Sequence, residues 1–413
     1  MKVLLVTMYF PPAGGGGVQR PLKLATHLPE LGIETHVLAP DDPKWIHRDE
    51  DLPMPTLAWV HRARFLGPRG RRPAEELHGT AGLERYSRRL QLFGRRLLVP
   101  DEGVPWNITA VPAAIRLARQ EGIDVVITTS PPGSVHFVGA AVKRATGARW
   151  VADLRDSLVA HPHRDSQRAL VRAKEQGQHA VAKLVTSRAD AIVTVSDAIA
   201  AEMRARNERA RVVTIANGSD FDDFDGLEYH PGAERFRITH AGSFFGKRDP
   251  KPFLTALSRV DGVVARFVGD FRAADREWSA NILDRMELIP YAPHRRSLEL
   301  QRDSEALLLL IPEAGGRGRG VLSGKVFEYL AAERPILAVV PPEGAAAELL
   351  RTTGAGVVVA PGDVDGIERE LAAMRDRWRA GKLAPVPLSD ELRAKLSRRS
   401  RVQELADLLQ QIV

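Results

Sequence analysis

Residues 1–28 read MKVLLVTMYFPPAGGGGVQRPLKLATHL, and their pattern decides the fold. Val3, Leu4, Leu5 and Val6 form an unbroken apolar run, short and covered on both faces as a central strand of a parallel sheet must be. Pro11 and Pro12 stop it, and the four glycines at 14–17 then remove every Cβ from the following turn. Leu22, Leu24, Ala25 and Leu28 continue at helical spacing. A strand, a glycine turn and a helix open a doubly wound α/β domain, in which ligands reach the backbone at the carboxyl end of the sheet. A merely flexible loop has the same composition. The dinucleotide fingerprint does not fit, because Val18, Gln19 and Arg20 follow the glycines.

Outward from this unit, short apolar runs alternate with helical patterns in two blocks. The first block predicts strands at 3–7, 34–38, 125–128, 150–152, 191–195 and 212–215. The second predicts them at 236–240, 265–268, 286–289, 306–311, 336–340 and 356–359. Residues 221–234 are acidic, contain glycine and proline, and lack periodicity, so they are expected to link two domains above a cleft. The tail from 397 reads as a helix with Val402, Leu405, Leu408 and Leu409 on one face. A chain of 413 residues exceeds the usual single core, which agrees with two domains.

The second block contains SGKVFEYLAAERP at 323–335. Ser323 is a candidate N-cap, Gly324 lets a ligand approach, and the N–H groups that follow favour an anion. Lys325 and Glu328 share a helix face with Gly324. Lys325 then meets phosphate, while Glu328 accepts hydrogen bonds from hydroxyls such as those of a ribose. An amphipathic helix with solvated Lys and Glu fits the same letters.

Composition narrows the chemistry further. The chain has no cysteine, which excludes disulfides, thiolate metal sites and a thiol nucleophile. The first strand is too short and too soon broken to be a signal peptide, and no apolar run has the length of a membrane span. A cytoplasmic protein is expected. Net charge is +7, with arginines concentrated at 62–96. Nucleic acid is not the expected partner, since aromatic interleaving and helix-turn-helix patterning are missing. Leu90, Leu92, Phe93, Leu97 and Leu98 among those arginines suit peripheral contact with an anionic membrane at its inner face, although a solvated basic surface has the same composition.

Taken in order, the opening strand and glycine loop, Ser130-Pro131-Pro132, the ADLRD of 152–156, the VTVS of 193–196, the IANGSD of 215–220, the HAGS of 240–243 and residues 323–335 resemble the retaining glycosyltransferases of family 4. Pro100-Asp101 followed by Trp106 is similar to the branch that assembles polysaccharides and envelope glycans. The resemblance covers nearly the whole chain. It implies the GT-B fold, two facing Rossmann-like domains with a cleft: 1–220 for the acceptor, a 221–234 linker, 235–395 for the nucleotide-sugar donor, and a 396–413 helix returning to the first domain. It implies transfer from a nucleoside diphosphate sugar to a sugar, a lipid-linked or a small-molecule acceptor, with no metal cofactor.

Carried over by position, Glu328 matches the second carboxylate of the family's Glu-x7-Glu motif, and Gly320 stands where the first would be. Backbone amides of the glycine-rich turn at 313–320, or Glu313 swung inward, are the candidates for its contacts. Ser243 replaces an arginine of the family's basic pair, with Lys247 and Arg248 nearby. Lys247, Arg248 and Lys325 are the candidate diphosphate clamp; Gly15, Gly16, Gly242, Ser243, Ser323, Gly324 and Glu328 complete the donor side. Asp156 is the candidate carboxylate for catalysis, and Arg20, His136, Asp153 and Arg155 form the acceptor side. A structural Asp–Arg pair and a helix-terminus histidine are the competing readings for the last group. Asp-x-Asp at 220–222 and again at 223–225 imitates a metal motif, but both copies fall in or beside the linker and read as acidic turns. His161-Pro162-His163 lacks a matched third ligand. A GT-B epimerase or hydrolase, or a nucleotide-sugar-binding protein without turnover, would share the same motifs.

Overall fold

The computed structural model describes residues 1–41, 47–67, 94, 97–159, 169–232, 234–244 and 248–413. Lys247, the His161-Pro162-His163 triplet and most of the basic stretch, including Arg88, Arg89, Arg95 and Arg96, lie outside the described residues. The chain divides into two units, one of Met1–Ala216 with Arg401–Val413 and one of Asn217–Ser400.

The first unit is built on seven parallel strands: β1 (Lys2–Thr7), β2 (Glu34–Pro40), β3 (Trp59–Ala63), β4 (Val125–Ser130), β5 (Arg149–Leu154), β6 (Ala191–Thr194) and β7 (Val212–Thr214). Their order is β3-β2-β1-β4-β5-β6-β7, so the winding direction reverses between β1 and β4. Alternation along β1 explains its uninterrupted apolar sequence. Leu4 and Val6 enter one core with Leu38, Trp106, Val126 and Trp150. Val3 and Leu5 enter the other, against Val18, Leu22 and Ala25 of helix Gly16–Glu30 and Val402, Leu405 and Leu409 of helix Arg398–Ile412. Strand β3 escapes the sequence pattern. It is an edge strand whose Trp59 is exposed and whose His61 and Arg62 break the apolar run.

The second unit repeats the design with β8 (Phe236–Ala241), β9 (Val263–Val268), β10 (Met286–Ile289), β11 (Ala306–Leu310), β12 (Ile336–Val339) and β13 (Gly356–Val359), ordered β10-β9-β8-β11-β12-β13. All pairs are parallel. Phe236, Ile238, Phe267, Leu308 and Leu337 pack on Phe253 and Leu257 of helix Lys251–Arg259 and on Ile367, Leu371 and Met374 of helix Val364–Arg379. Residues 221–224, within the acidic stretch, form a short 3-10 turn that buries Phe221 and Phe224 in this unit. Both sheets are doubly wound, and each places its strand-order reversal at a carboxyl edge carrying candidate residues.

Candidate active site

In the second unit the candidate donor residues gather where β8 and β11 part. Ser323 caps helix Gly324–Ala331, its Oγ accepting from the Lys325 N–H at 3.4 Å. One residue beyond β8, Gly242 has φ +137, and a Cβ built on it would collide with Lys325 Nζ. Any side chain there would displace the lysine and strain the backbone. Tyr329, one turn along the helix, is fully buried and its hydroxyl accepts from the Ala241 N–H at 2.8 Å. That bond fixes the end of β8 to the helix start.

Arg248 donates to the Ser243 carbonyl at 3.0 Å, and Ser243 Oγ donates to Asp270 at 3.2 Å. Burial lowers the Arg248 guanidinium from its ordinary value. The Lys325 ammonium is pushed well below its usual range, first by burial and then by Arg248, with Glu328 opposing. Two basic groups whose charged forms are disfavoured by burial therefore share a corner beside a helix N-terminus. This arrangement favours an anion.

His240 was not singled out in the sequence, although it opens the HAGS motif. It is fully buried, and its Nδ1 lies 2.9 Å from the Leu308 carbonyl. Only a protonated Nδ1 can donate there, so the ring is the Nδ1–H tautomer. Burial, then Lys325 and Arg248, keep it neutral. Glu328 lines a small hollow with Asp220, Asp223, Phe224, His294, Leu298 and Arg398, and accepts from Gln301 Nε2 at 3.4 Å. Gly320 ends a 3-10 turn, Arg317–Gly320, while Glu313 pairs with Arg319 at 3.4 Å. Asp220, the first residue of the first Asp-x-Asp copy, is held by Arg398 at 2.7 Å.

In the first unit, Gly15 and Gly16 are exposed at the start of helix Gly16–Glu30 with open space where a Cβ would stand; Gly15 has φ +89. Arg20 and Asp153 meet instead in the interior: Arg20 Nη2 and Nε reach Asp153 Oδ1 and Oδ2 at 2.8 and 3.0 Å, and Thr129 Oγ1 donates to Oδ2 at 2.7 Å. Arg20 also donates to the Ala216 carbonyl. These contacts tie the glycine helix to β4, β5 and the end of the first unit's main chain segment.

Arg155 donates to the carbonyls of Ser130 and Gly17 and lies over the Tyr9 ring. Burial lowers its guanidinium. Asp156, next along, is exposed. His136 is fully buried at the start of helix His136–Thr146. Thr128 Oγ1 accepts from Trp150 Nε1 at 2.8 Å and lies 2.8 Å from His136 Nδ1. Thr128 Oγ1 has a second lone pair and a proton, so it can either accept from or donate to Nδ1. Asp101, also absent from the candidate residues, accepts from the Ser134 N–H at 2.9 Å and the Ser134 hydroxyl at 2.5 Å, fixing the turn before His136.

Two doubly wound parallel sheets, the second carrying Arg248 and Lys325 beside a capped helix start, define an α/β protein of two Rossmann-like units. Residues 15–218 match the model of the glycosyl transferase 4-like domain, and that segment belongs to the family. No curated protein matches it in sequence. Among solved structures it is similar to sucrose-phosphate synthase from Thermosynechococcus elongatus, at 16% identity and TM-score 0.69 over 100% of this chain and 98% of that one. It is similar to HepE of Anabaena in complex with UDP-glucose, at 15% identity and TM-score 0.64 over 100% of both chains. A UDP-N-acetylglucosamine 2-epimerase described from Listeria monocytogenes has 11% identity and TM-score 0.55, over 98% of this chain and 94% of that one. These likenesses identify the fold as GT-B.

Proposed function

We propose that the chain moves a sugar from a nucleoside diphosphate sugar to an acceptor hydroxyl, with the anomeric configuration retained and protein cations rather than a divalent ion balancing the diphosphate. The observation that carries this reading is the placing of two buried basic side chains, Lys325 against Gly242 and Arg248 on the Ser243 carbonyl, beside the capped helix start. A diphosphate placed there relieves their repulsion and their burial cost together. Glu328, at the neighbouring hollow, takes the ribose hydroxyls. The UDP-glucose complex of HepE supports the choice of donor class.

As the bond between the anomeric carbon and the diphosphate oxygen breaks, negative charge grows on the leaving group. Arg248, Lys325 and the helix amides then bind the transition state more tightly than the ground state. The acceptor oxygen bonds to the anomeric carbon on the same face, and its proton passes to the departing phosphate oxygen. Asp156 orients the acceptor hydroxyl, while Asp153 and Arg20 hold the turn that presents Asp156. The acceptor is a sugar, a lipid-linked or a small-molecule alcohol of glycan assembly, reached from the cytoplasm, with the basic stretch at 62–96 resting on anionic membrane. Among the described residues no helix is long and apolar enough to cross a membrane.

The test is nucleotide release from UDP-, GDP-, ADP- and dTDP-sugars by EDTA-stripped protein, with and without candidate acceptors. Acceptor-dependent transfer in EDTA is the expected result. Complete loss restored by Mn²⁺ overturns the metal-free reading. Turnover without acceptor makes the chain an epimerase or hydrolase, and donor binding without turnover makes it a binding protein.

A further inference from the structure

At the amino-terminal edge of the first sheet, opposite the edge that carries Gly15 and Asp156, a second group of ionisable side chains converges. Along β2, Glu34, His36 and Leu38 alternate onto one face. Leu38 enters the core with Leu117 of helix Asn107–Glu121, and below it the same strand and helix bring Glu34, His36 and Glu121 together. One ligand atom from each lies within 4.8 Å of the others. The neighbouring strand adds His61, whose Nε2 is 3.1 Å from His36 Nδ1. His36 Nε2 lies 3.1 Å from Glu34 Oε1, and Lys2 Nζ lies 2.9 Å from the same oxygen. His36 is almost fully buried, whereas Glu34 is exposed and Glu121 partly exposed.

We propose that Glu34, His36 and Glu121 form a binding site for a divalent transition-metal ion, with His61 as the residue that positions the His36 ring. One imidazole and two carboxylates suit zinc, cobalt or nickel. Ligand distances near 2.0–2.2 Å, roughly those of zinc, require the carboxylates to draw inward, and their exposure leaves them room to do so. In the metal-free arrangement His36 Nε2–H donates to Glu34, so Nδ1 accepts from His61 Nε2–H. Metal binding reverses the relay: His36 Nε2 turns its lone pair to the ion, Nδ1 carries the proton, and His61 Nε2 accepts it. The pair of histidines thus permits ligation without expelling a proton from the buried ring. Lys2 supplies the competing positive charge on Glu34. The ion would tie the edge of the sheet to the end of helix Asn107–Glu121, at the edge away from the proposed transfer chemistry.

The experiment is calorimetric titration of Zn²⁺ into the EDTA-stripped full chain, with circular dichroism confirming that each variant is folded. One ion per chain is expected to bind at this site. Glu121→Gln, at a partly exposed position, should abolish or greatly weaken that binding, and His36→Asn should abolish it. His61→Phe should weaken it by roughly 10- to 100-fold, as loss of a ligand-orienting partner does. Lys2→Met should tighten it, an outcome that mere damage to the fold cannot produce. Replacing His161 and His163 together by Asn should leave it unchanged. The proposal is overturned if folded Glu121→Gln binds Zn²⁺ as the parent does, if Lys2→Met weakens binding, or if the parent binds no ion.

Discussion

Lys325 lies against the α-carbon of Gly242 so closely that a methyl group on Gly242 would occupy the place of its ammonium. The left-handed backbone of Gly242, at φ +137, brings the end of β8 under the helix start and leaves that space open. Gly242→Ala should therefore cost about 1–3 kcal/mol of stability, the range for a residue held in an unfavourable backbone region, and should lower turnover by displacing the lysine. Because both effects on turnover pass through one ammonium, Gly242→Ala with Lys325→Ala should be no slower than Lys325→Ala alone. Additive losses in steady-state transfer would show that Gly242 serves the site in another way.

Glu328→Gln and Lys325→Ala separate the two ends of the proposed nucleotide. The amide keeps one acceptor but loses charge assistance to the ribose, so Glu328→Gln should chiefly raise the KM for donor. Lys325→Ala removes a stabiliser of the growing diphosphate charge and should reduce kcat by roughly 10² to 10³, as deletion of an oxyanion donor does. Unchanged kinetics for both folded variants, at limiting donor, would make the helix at Ser323 purely structural.

The buried pair of Arg20 and Asp153 makes a different prediction. Asp153 spends its oxygens on Arg20 and Thr129, and removing it leaves a guanidinium uncompensated in the interior. Asp153→Ala should destabilise the chain by about 3–5 kcal/mol in urea unfolding. Arg20→Met with Asp153→Leu, which removes both charges, should recover much of that loss. A single substitution that slows transfer while leaving the unfolding midpoint in place would return Asp153 to direct contact with the acceptor.

The parallel strands were legible because full burial writes itself as unbroken apolar runs, as at Leu307, Leu308, Leu309 and Leu310. Strand β3 was not, since pairing at an edge rests on backbone bonds and tolerates His61 and Arg62. The Ser323 cap and the Lys325–Glu328 face were legible because both are local, fixed by helix periodicity. The partnership of Arg20 with Asp153 spans 133 residues, and that of His240 with Leu308 spans 68. Such pairs depend on which strands become neighbours, and residue spacing alone carries no record of that.

Two fully buried histidines give stability a pH dependence. Burial, only partly opposed by Asp153, lowers His136 to about 3, and burial with Lys325 and Arg248 holds His240 well below its ordinary value. An unfolded histidine takes up a proton near pH 6.5. Below that value the unfolded chain binds protons that the folded chain refuses, so each histidine's contribution is present above about pH 6.5 and is lost as pH falls toward its folded value. The slope approaches about 1.4 kcal/mol per pH unit for each such group. Between pH 6.5 and 5 most carboxylates remain ionised, which isolates the histidines. Urea unfolding at pH 7, 6 and 5 should show falling stability, and His136→Gln, whose amide can bond Thr128 in either direction, should make the decline shallower. Equal stability at pH 7 and 5, or an unaltered slope in folded His136→Gln, would mean that His136 takes up a proton without unfolding.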